Sequence, residues 1–208
     1  MAAYKLYPSS QRMVITDNLS LQVNRAINIT ATLVAGGGAG GLAMVQSNVA
    51  VGGGGGGGGE ARQIVNISVA SGDIIVAEVG KGGDAESIDG GDGGSTTLMI
   101  KRGNVILQSA TVAGGKGADF GEGGAGGSTD AYLFSAGSPG ANGEATPSDQ
   151  TPNGGSGGVS PFSLSAAAGG NAENVQGGDG SLGGGGGGGA PGTSQASKGG
   201  NGVVILEY

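Results

Sequence analysis

The sequence contains no cysteine, no histidine and no tryptophan among its 208 residues. Without cysteine the chain can form no disulfide bridge and has no thiol nucleophile, and without histidine it has no imidazole base. Zinc sites built from cysteine and histidine are excluded for the same reason. The commonest forms of nucleophilic and metal-assisted catalysis are therefore closed to this protein.

Positive charge is also scarce, because 9 lysine and arginine residues stand against 16 acidic residues, for a net charge of -7. A field of this sign repels polyanions, so we expect no nucleic-acid partner. No run of about 18 apolar residues is present, and we expect no insertion into a membrane. The first twenty residues lack a charged head followed by an apolar stretch, so we expect synthesis in the cytoplasm without a signal peptide.

No arrangement of residues predicts a catalyst. Matches to Gly-x-Gly-x-x-Gly are accidental in a chain with 53 glycines, since that motif requires a strand before it and a helix after it. Asp84, Glu86, Asp89 and Asp92 crowd one short stretch, which we interpret as a solvated acidic loop rather than a cation site. We expect a protein that is not an enzyme and that needs no cofactor and no metal.

Glycine and the large apolar residues occupy different parts of the chain. Valine, isoleucine, leucine and phenylalanine number 29 in residues 1–112, 8 in residues 113–202 and 4 in residues 203–206. Residues 113–202 contain 31 of the glycines. We therefore predict a β-rich half, 1–112 closed by 203–208, with its own hydrophobic core, and a glycine-rich half, 113–202, without one.

The apolar segments predict strands. Residues 27–33 alternate apolar and polar side chains with a period of two. Alternation at 65–69, a turn at 71–73 and the run 74–79 predict a hairpin.

A second hairpin is predicted from 96–101 and 104–112, around Arg102-Gly103. Residues 203–206 predict a strand that inserts beside an early one. No helical periodicity appears, so the predicted class is all-β, a small β-sandwich combined with packed polyglycine II helices and no α-helix of any length.

The glycine segments have a period of their own. Gly-Gly-x-Gly-Gly occurs four times, beginning at Gly37, Gly90, Gly123 and Gly154, and uninterrupted runs cover 52–59 and 183–189. This pattern fits polyglycine II, an extended helix of three residues per turn with no internal hydrogen bonds. Helices without Cβ atoms can approach closely enough to bond to one another. The alternative is a set of flexible linkers, the usual behaviour of glycine-rich chains.

Aromatic and leucine side chains between the glycine segments are candidate binding residues, because almost nothing apolar is available there to bury them. Rigidly held loops with aromatic tips are a common way to anchor a partner. The alternative is that these side chains plug the end of the bundle or meet a neighbouring subunit. We place them in loops between the glycine segments, with presenting loops at 128–153 and 159–176, and the candidates are Phe120, Tyr132, Leu133, Phe134, Phe162 and Leu164.

The order of these motifs resembles the glycine-rich domain of bacteriophage tail proteins. The resemblance rests on the sequence from Ile29 to Gly41, the run ending at Gly59, the stretches 69–73 and 79–83, and the closing residues 199–208. It implies a virion protein of a tailed phage, related in architecture to distal tail-fibre adhesins whose loops contact a receptor. Those adhesins carry a separate N-terminal attachment domain, which residues 1–25 do not resemble.

The leading hypothesis is therefore a tail-tip or tail-fibre protein that binds a protein or glycan receptor on the host surface. Its expected partners are that receptor, other virion tail proteins and further copies of itself, with a trimer favoured. The alternative is a structural tail, baseplate or capsid-surface component without receptor contact. A distant third is an ice-binding protein, against which the bulky loops argue.

Overall fold

The computed structural model describes residues 11–85, 88–128, 136–161, 177–189 and 197–208. These residues form strands and extended segments, and no helix occurs among them. The class is therefore all-β, as predicted. The strands are β1 (Arg12–Ile15), β2 (Leu19–Gln22), β3 (Ile27–Val34), β4 (Met44–Gln46), β5 (Val49–Val51), β6 (Ala61–Val69), β7 (Ile74–Glu78), β8 (Thr96–Arg102), β9 (Val105–Val112), β10 (Ala145–Pro147) and β11 (Val203–Glu207).

Two antiparallel four-stranded sheets enclose the hydrophobic core in a β-sandwich-like arrangement. Their strand orders are β1-β11-β3-β6 and β2-β7-β8-β9. Ile29 and Leu33 of β3 and Ile100 of β8 are buried in one cluster with Val204 of β11. The predicted strand at 27–33 is confirmed, and the C-terminal strand lies between β1 and β3, as expected of a late insertion.

The first predicted hairpin is wrong and the second is confirmed. Strands β8 and β9 pair around Gly103, whose φ of 58° suits glycine. Strand β6 pairs with β3, whereas β7 pairs with β2 and β8. The turn at 71–73 thus carries the chain from one sheet to the other. Alternation on both sides of a short glycine turn is common to a hairpin and to such an arch, so the pattern could not separate them.

Asp73 fixes this crossing between the sheets. Its buried carboxylate accepts hydrogen bonds from the Ala70 N–H at 2.9 Å and from Arg102 Nε at 2.7 Å, with a second guanidinium bond at 3.0 Å. The bonds from Arg102, then that from Ala70, lower the pKa of Asp73 despite its desolvation. The arch therefore depends on an ionised carboxylate.

Because the folded-state pKa of Asp73 lies below its ordinary value near 3.8, its stabilisation is present above that pH and is lost as the pH falls through the lowered pKa. We expect Asp73→Asn to reduce the free energy of unfolding at pH 7, and the difference from wild type to shrink below about pH 4. Urea unfolding of the variant and of the wild type, at pH 7 and below about pH 4, measures this difference. Asp149→Asn, at an exposed turn, is the control that leaves stability unchanged. An equal loss at both pH values would contradict the assignment.

The glycine segments form a bundle in which successive N–H groups bond to different neighbours. The N–H groups of Gly53, Gly54 and Gly55 donate to Gly189, Phe120 and Ala141, and the next three donate to Gly186, Lys116 and Ser138 in the same order of segments. This period of three is that of polyglycine II. Among the described residues, the bundle comprises segments 35–42, 52–60, 79–84, 88–95, 113–118, 122–128, 137–144, 153–160, 177–180, 183–189 and 197–202.

Segment 52–60 lies at the centre of this lattice. It donates hydrogen bonds to 137–144, 183–189 and 113–120 and accepts them from the three segments 153–160, 35–42 and 122–128. Segment 35–42 likewise has six hydrogen-bonded neighbours. The backbone polar groups are thus satisfied with almost no apolar side chains. These hydrogen bonds join segments that precede residue 113 in the sequence, such as 52–60, to segments that follow it, such as 183–189.

Segments in the interior of the bundle have more glycines per turn than segments at its periphery. All eight residues of 52–59 are glycine and are buried. In 88–95, 122–128 and 153–160 the residue between glycine pairs (Asp92, Ala125 and Ser156) is exposed, so one column of each helix faces solvent. Segment 137–144 has glycine only at every third position and lies at the periphery.

Candidate binding surface at the distal end of the bundle

The bundle has one end against the sandwich and one end away from it. Segment 35–42 leaves β3, and segment 52–60 returns to β6, so residues 42–51 between them lie at the far end. We call this the distal end and define it as residues 42–51, 84–85, 88–90, 119–122 and 144–153. The described connections here are joined to bundle segments by backbone hydrogen bonds at or near their ends.

A small sheet of three strands, in the order β10-β5-β4, covers part of the distal end. Its exposed side chains include Val45, 55% exposed, and Val49, 46% exposed. The β4–β5 turn is tight, with Ser47 at a φ of 57°, and the Asn48 carbonyl accepts a hydrogen bond from the Ser148 N–H at 3.0 Å. This sheet was not predicted, although Ser47-Asn48 between two short valine runs is a turn signal.

Phe120 is the predicted binding residue that lies at the distal end. It occupies the turn between segments 113–118 and 122–128 and is half-buried. Its N–H donates to Asp89 Oδ1 at 3.1 Å, and its carbonyl accepts the Gly54 N–H at 2.8 Å. Its φ is 51°, a conformation that costs a side-chain-bearing residue about 1–2 kcal/mol. Such a backbone conformation at a residue with a large side chain keeps Phe120 a candidate for a binding role.

The other predicted binding residues, Tyr132, Leu133, Phe134, Phe162 and Leu164, lie outside the described residues. The described residues that flank 129–135 are Ser128 and Ala136, and both are at the sandwich end of the bundle, because Gly127 donates to Gly58 and Gly137 donates to Gly127. The described residues that flank 162–176 are Pro161, which follows a segment that bonds to Gly56, and Gly177, which lies beside Gly187 toward the distal end. Phe120 is separated from Ser128 by the seven-residue segment 122–128, about 20 Å at 3.1 Å per residue.

The predicted presenting loop at 128–153 has more structure than a loop. Its described part contains the bundle segment 137–144 and strand β10. Glu144 Oε2 accepts hydrogen bonds from the Asn153 N–H at 3.1 Å and from Asn153 Nδ2 at 3.0 Å, which closes the turn after β10. Residues 144–153 are therefore held at the distal end beside β5.

The distal end is acidic and contains no lysine or arginine in its sequence. Lys198 from segment 197–202 approaches it, with Nζ 3.6 Å from the Asp84 carboxylate. Among the described residues no group of three or more acidic, histidine or cysteine side chains could hold a metal ion. Its exposed carboxylates are Asp84, Asp89, Asp119, Glu122, Glu144 and Asp149.

The acidic stretch singled out from the sequence caps backbone groups. Asp92 Oδ1 accepts the Gly117 N–H at 2.9 Å, and Asp92 Oδ2 contacts Lys116 Nζ at 2.6 Å. Partial desolvation opposes these bonds, yet together they lower the pKa of Asp92. Glu86 lies outside the described residues. The Asp92 carboxylate therefore takes the place of water at an N–H group of the neighbouring segment 113–118.

Comparison with known proteins gives one result. The profile of a glycine-rich domain matches residues 16–208, which runs from the end of β1 through the last strand. A search of curated proteins found no match to the chain. In the part of the chain that the structure describes, no helix is long and apolar enough to cross a membrane.

Proposed function

Since the chain belongs to the glycine-rich domain family, we propose that it is a virion protein of a tailed bacteriophage that binds the surface of the host cell. The sandwich attaches it to other tail proteins, and the distal end of the bundle faces the receptor. The observation that carries this proposal is the anchoring of the described distal connections on a lattice of backbone hydrogen bonds.

Such a lattice suits a binding surface that must be both rigid and variable. The turns are held by main-chain groups, so their side chains can change without disturbing a shared hydrophobic core. Preorganised turns also lose little conformational entropy when they bind. Val45, Val49 and Ile88, each about half exposed, and Phe120 supply apolar contacts at this end.

The negative charge of the distal end restricts the kind of receptor surface that it can bind. Six described carboxylates disfavour a phosphate-rich surface and favour a neutral or basic one. Binding to a basic receptor weakens as salt screens the charges, over a Debye length of about 8 Å at physiological ionic strength.

The test is the binding of the purified, labelled protein to intact host cells. We expect saturable binding that an excess of unlabelled protein displaces. Correctly folded protein that shows only non-saturable association with cells would contradict the proposal.

A second candidate function is a structural virion component without receptor contact. The exposure of Val45, Val49 and Ile88 favours it equally, because these side chains could be covered by another tail protein. The two functions differ in the assembled particle. A cysteine introduced at Val49 reacts with a maleimide probe in intact virions if this end faces the receptor, and is shielded if it is buried.

A further inference from the structure

The sandwich has an end that lies away from the bundle. Strand β3 starts at this end with Ile27 and runs toward the bundle, whereas β6 ends here with Val69 and β8 with Arg102. It faces the particle if the distal end of the bundle faces the receptor. We call it the outer end and define it as residues 23–28, 68–73 and 101–105.

An open cleft of about 450 Å³ lies at the outer end. Half-buried Ile27 and buried Val69 supply apolar walls, and Asn28, Ser68 and Arg102 supply polar ones. Ser68 Oγ donates a hydrogen bond to Asn28 Oδ1 at 2.8 Å, which leaves the Asn28 Nδ2 group as a donor. The cleft thus combines apolar walls with hydrogen-bond donors.

Arg102 is the only charged side chain among the described residues that line this cleft. Its Nε and Nη2 groups donate to the two carboxylate oxygens of Asp73 at 2.7 and 3.0 Å. A guanidinium carries five N–H donors in a planar fork, so two on Nη1 and one on Nη2 remain. The Arg102 side chain is 60% exposed, and its bonds to a buried carboxylate hold it in place. Arg102 therefore presents a preoriented edge whose geometry fits a second carboxylate.

The outer end has a surplus of positive charge. Asp73 is the only acidic residue in it, and this carboxylate is buried and already ion-paired. Arg25 and Lys101 also belong to the outer end, and neither has an ion-pair partner among the described residues. Arg25 Nε is buried without a hydrogen-bond acceptor, an uncommon state for a buried donor. Nearby, Arg12 and Glu207 oppose each other on β1 and β11 and add no net charge.

We propose that this cleft binds an aspartate or glutamate side chain of the tail protein to which the sandwich attaches. The carboxylate accepts hydrogen bonds from the unused edge of Arg102 and from Asn28 Nδ2, and its methylene groups pack against Ile27 and Val69. An acidic partner surface is repelled by the six carboxylates of the distal end and attracted to the outer end, which orients the protein on the particle. The identity of the partner rests on the proposed function, whereas the chemistry of the site does not.

The chemistry is tested by NMR titration of the purified full chain with N-acetylglutamate methylamide, with the corresponding glutamine compound as the neutral control. We expect saturable shifts of the backbone amides of residues 26–28 and 68–70, and of the Arg102 Nε–H, with the glutamate compound alone. Added salt should weaken this response. Equal shifts with the two compounds, or no shift at these residues, would overturn the site.

Substitutions of Ala26, an exposed residue at the cleft, block the site without disturbing the Asp73–Arg102 pair. Ala26→Glu places a resident carboxylate beside Arg102 and should abolish the response to the glutamate compound, whereas Ala26→Gln, of the same size, should retain it. Ala125→Glu adds the same charge at an exposed position of the bundle and should also retain it. Circular dichroism verifies the fold of each variant. A response that survives in Ala26→Glu would overturn the assignment.

The partner is tested by the amount of each variant in purified phage particles, measured by quantitative immunoblotting. Ala26→Glu should be incorporated at least about tenfold less than the wild type, and Ala26→Gln and Ala125→Glu at the wild-type level. Normal incorporation of Ala26→Glu would overturn the attachment role of the cleft. Wild-type protein that enters particles but does not bind host cells would contradict the proposed receptor binding alone, because the cleft and the distal end lie at opposite ends of the molecule.

Discussion

Gly56→Ala should cost about 3 kcal/mol of stability or prevent folding, because overpacking a rigid interior has no cheap relief. Gly56 lies in the central segment 52–60, and a Cβ there would overlap the carbonyl oxygen of Gly38. That neighbour is backbone and is held in the lattice, because the Gly38 carbonyl accepts the Gly186 N–H and the Gly38 N–H donates to the Gly57 carbonyl. The obstruction cannot be removed by a side-chain rotation, so whole segments must separate.

The matched control is Gly94→Ala in the peripheral segment 88–95. Its Cβ would lie 3.0 Å from the Lys81 nitrogen, 3.1 Å from the Gly80 Cα and 3.4 Å from the Lys81 oxygen, contacts that a shift of a few tenths of an ångström relieves. Replacing glycine by alanine also restricts the unfolded chain, worth about 0.4–1 kcal/mol. We therefore expect a net change near zero. Chemical denaturation of both variants measures the difference, and similar stabilities for the two would refute the lattice.

Removal of the Phe120 side chain should weaken host binding by at least about tenfold, as expected for an aromatic anchor at the centre of a contact. Phe120→Ala and Phe120→Gly both remove the ring. They differ in backbone strain, because only glycine is relaxed at a φ of 51°. We expect the glycine variant to be more stable than the alanine variant by about 1 kcal/mol.

Cell binding and stability, both measured on the two variants, distinguish a binding role of Phe120 from a structural one. Loss of cell binding in both variants, with the glycine variant at least as stable as wild type, assigns the ring to binding. Full binding by the folded variants would remove Phe120 from the contact surface.

The all-β class and several strands could be predicted because their local patterns are strong. Residues 27–33 and 104–112 show alternation or an apolar run beside a turn signal, and both are strands. The arch at 71–73 could not be distinguished from a hairpin. The difference lies in the Asp73–Arg102 pair, which joins residues 29 positions apart. A contact between residues so far apart in the sequence produces no local pattern of apolar and polar residues.

The glycine lattice could be predicted in kind but not in arrangement. Four Gly-Gly-x-Gly-Gly motifs look alike in sequence, yet Ala39 is buried within a segment that has six neighbours, whereas Asp92, Ala125 and Ser156 face solvent. Polyglycine II makes its hydrogen bonds only between segments. The partner of each segment is therefore a property of the whole bundle.

The candidate surface was predicted less completely for the same reason. Phe120 stood out by its chemistry, but the short strands β4, β5 and β10 have three residues each and gave no periodic signal. They become a surface only because the bundle brings segments 42–51 and 144–153 to one end.

The most direct test of receptor binding is competition between the purified protein and phage particles for adsorption to host cells. The protein, folded and in its native oligomeric state, should reduce adsorption in a saturable manner, and Phe120→Gly protein at the same concentration should not. Undiminished adsorption at saturating wild-type protein would contradict the account and would favour the structural role in the virion.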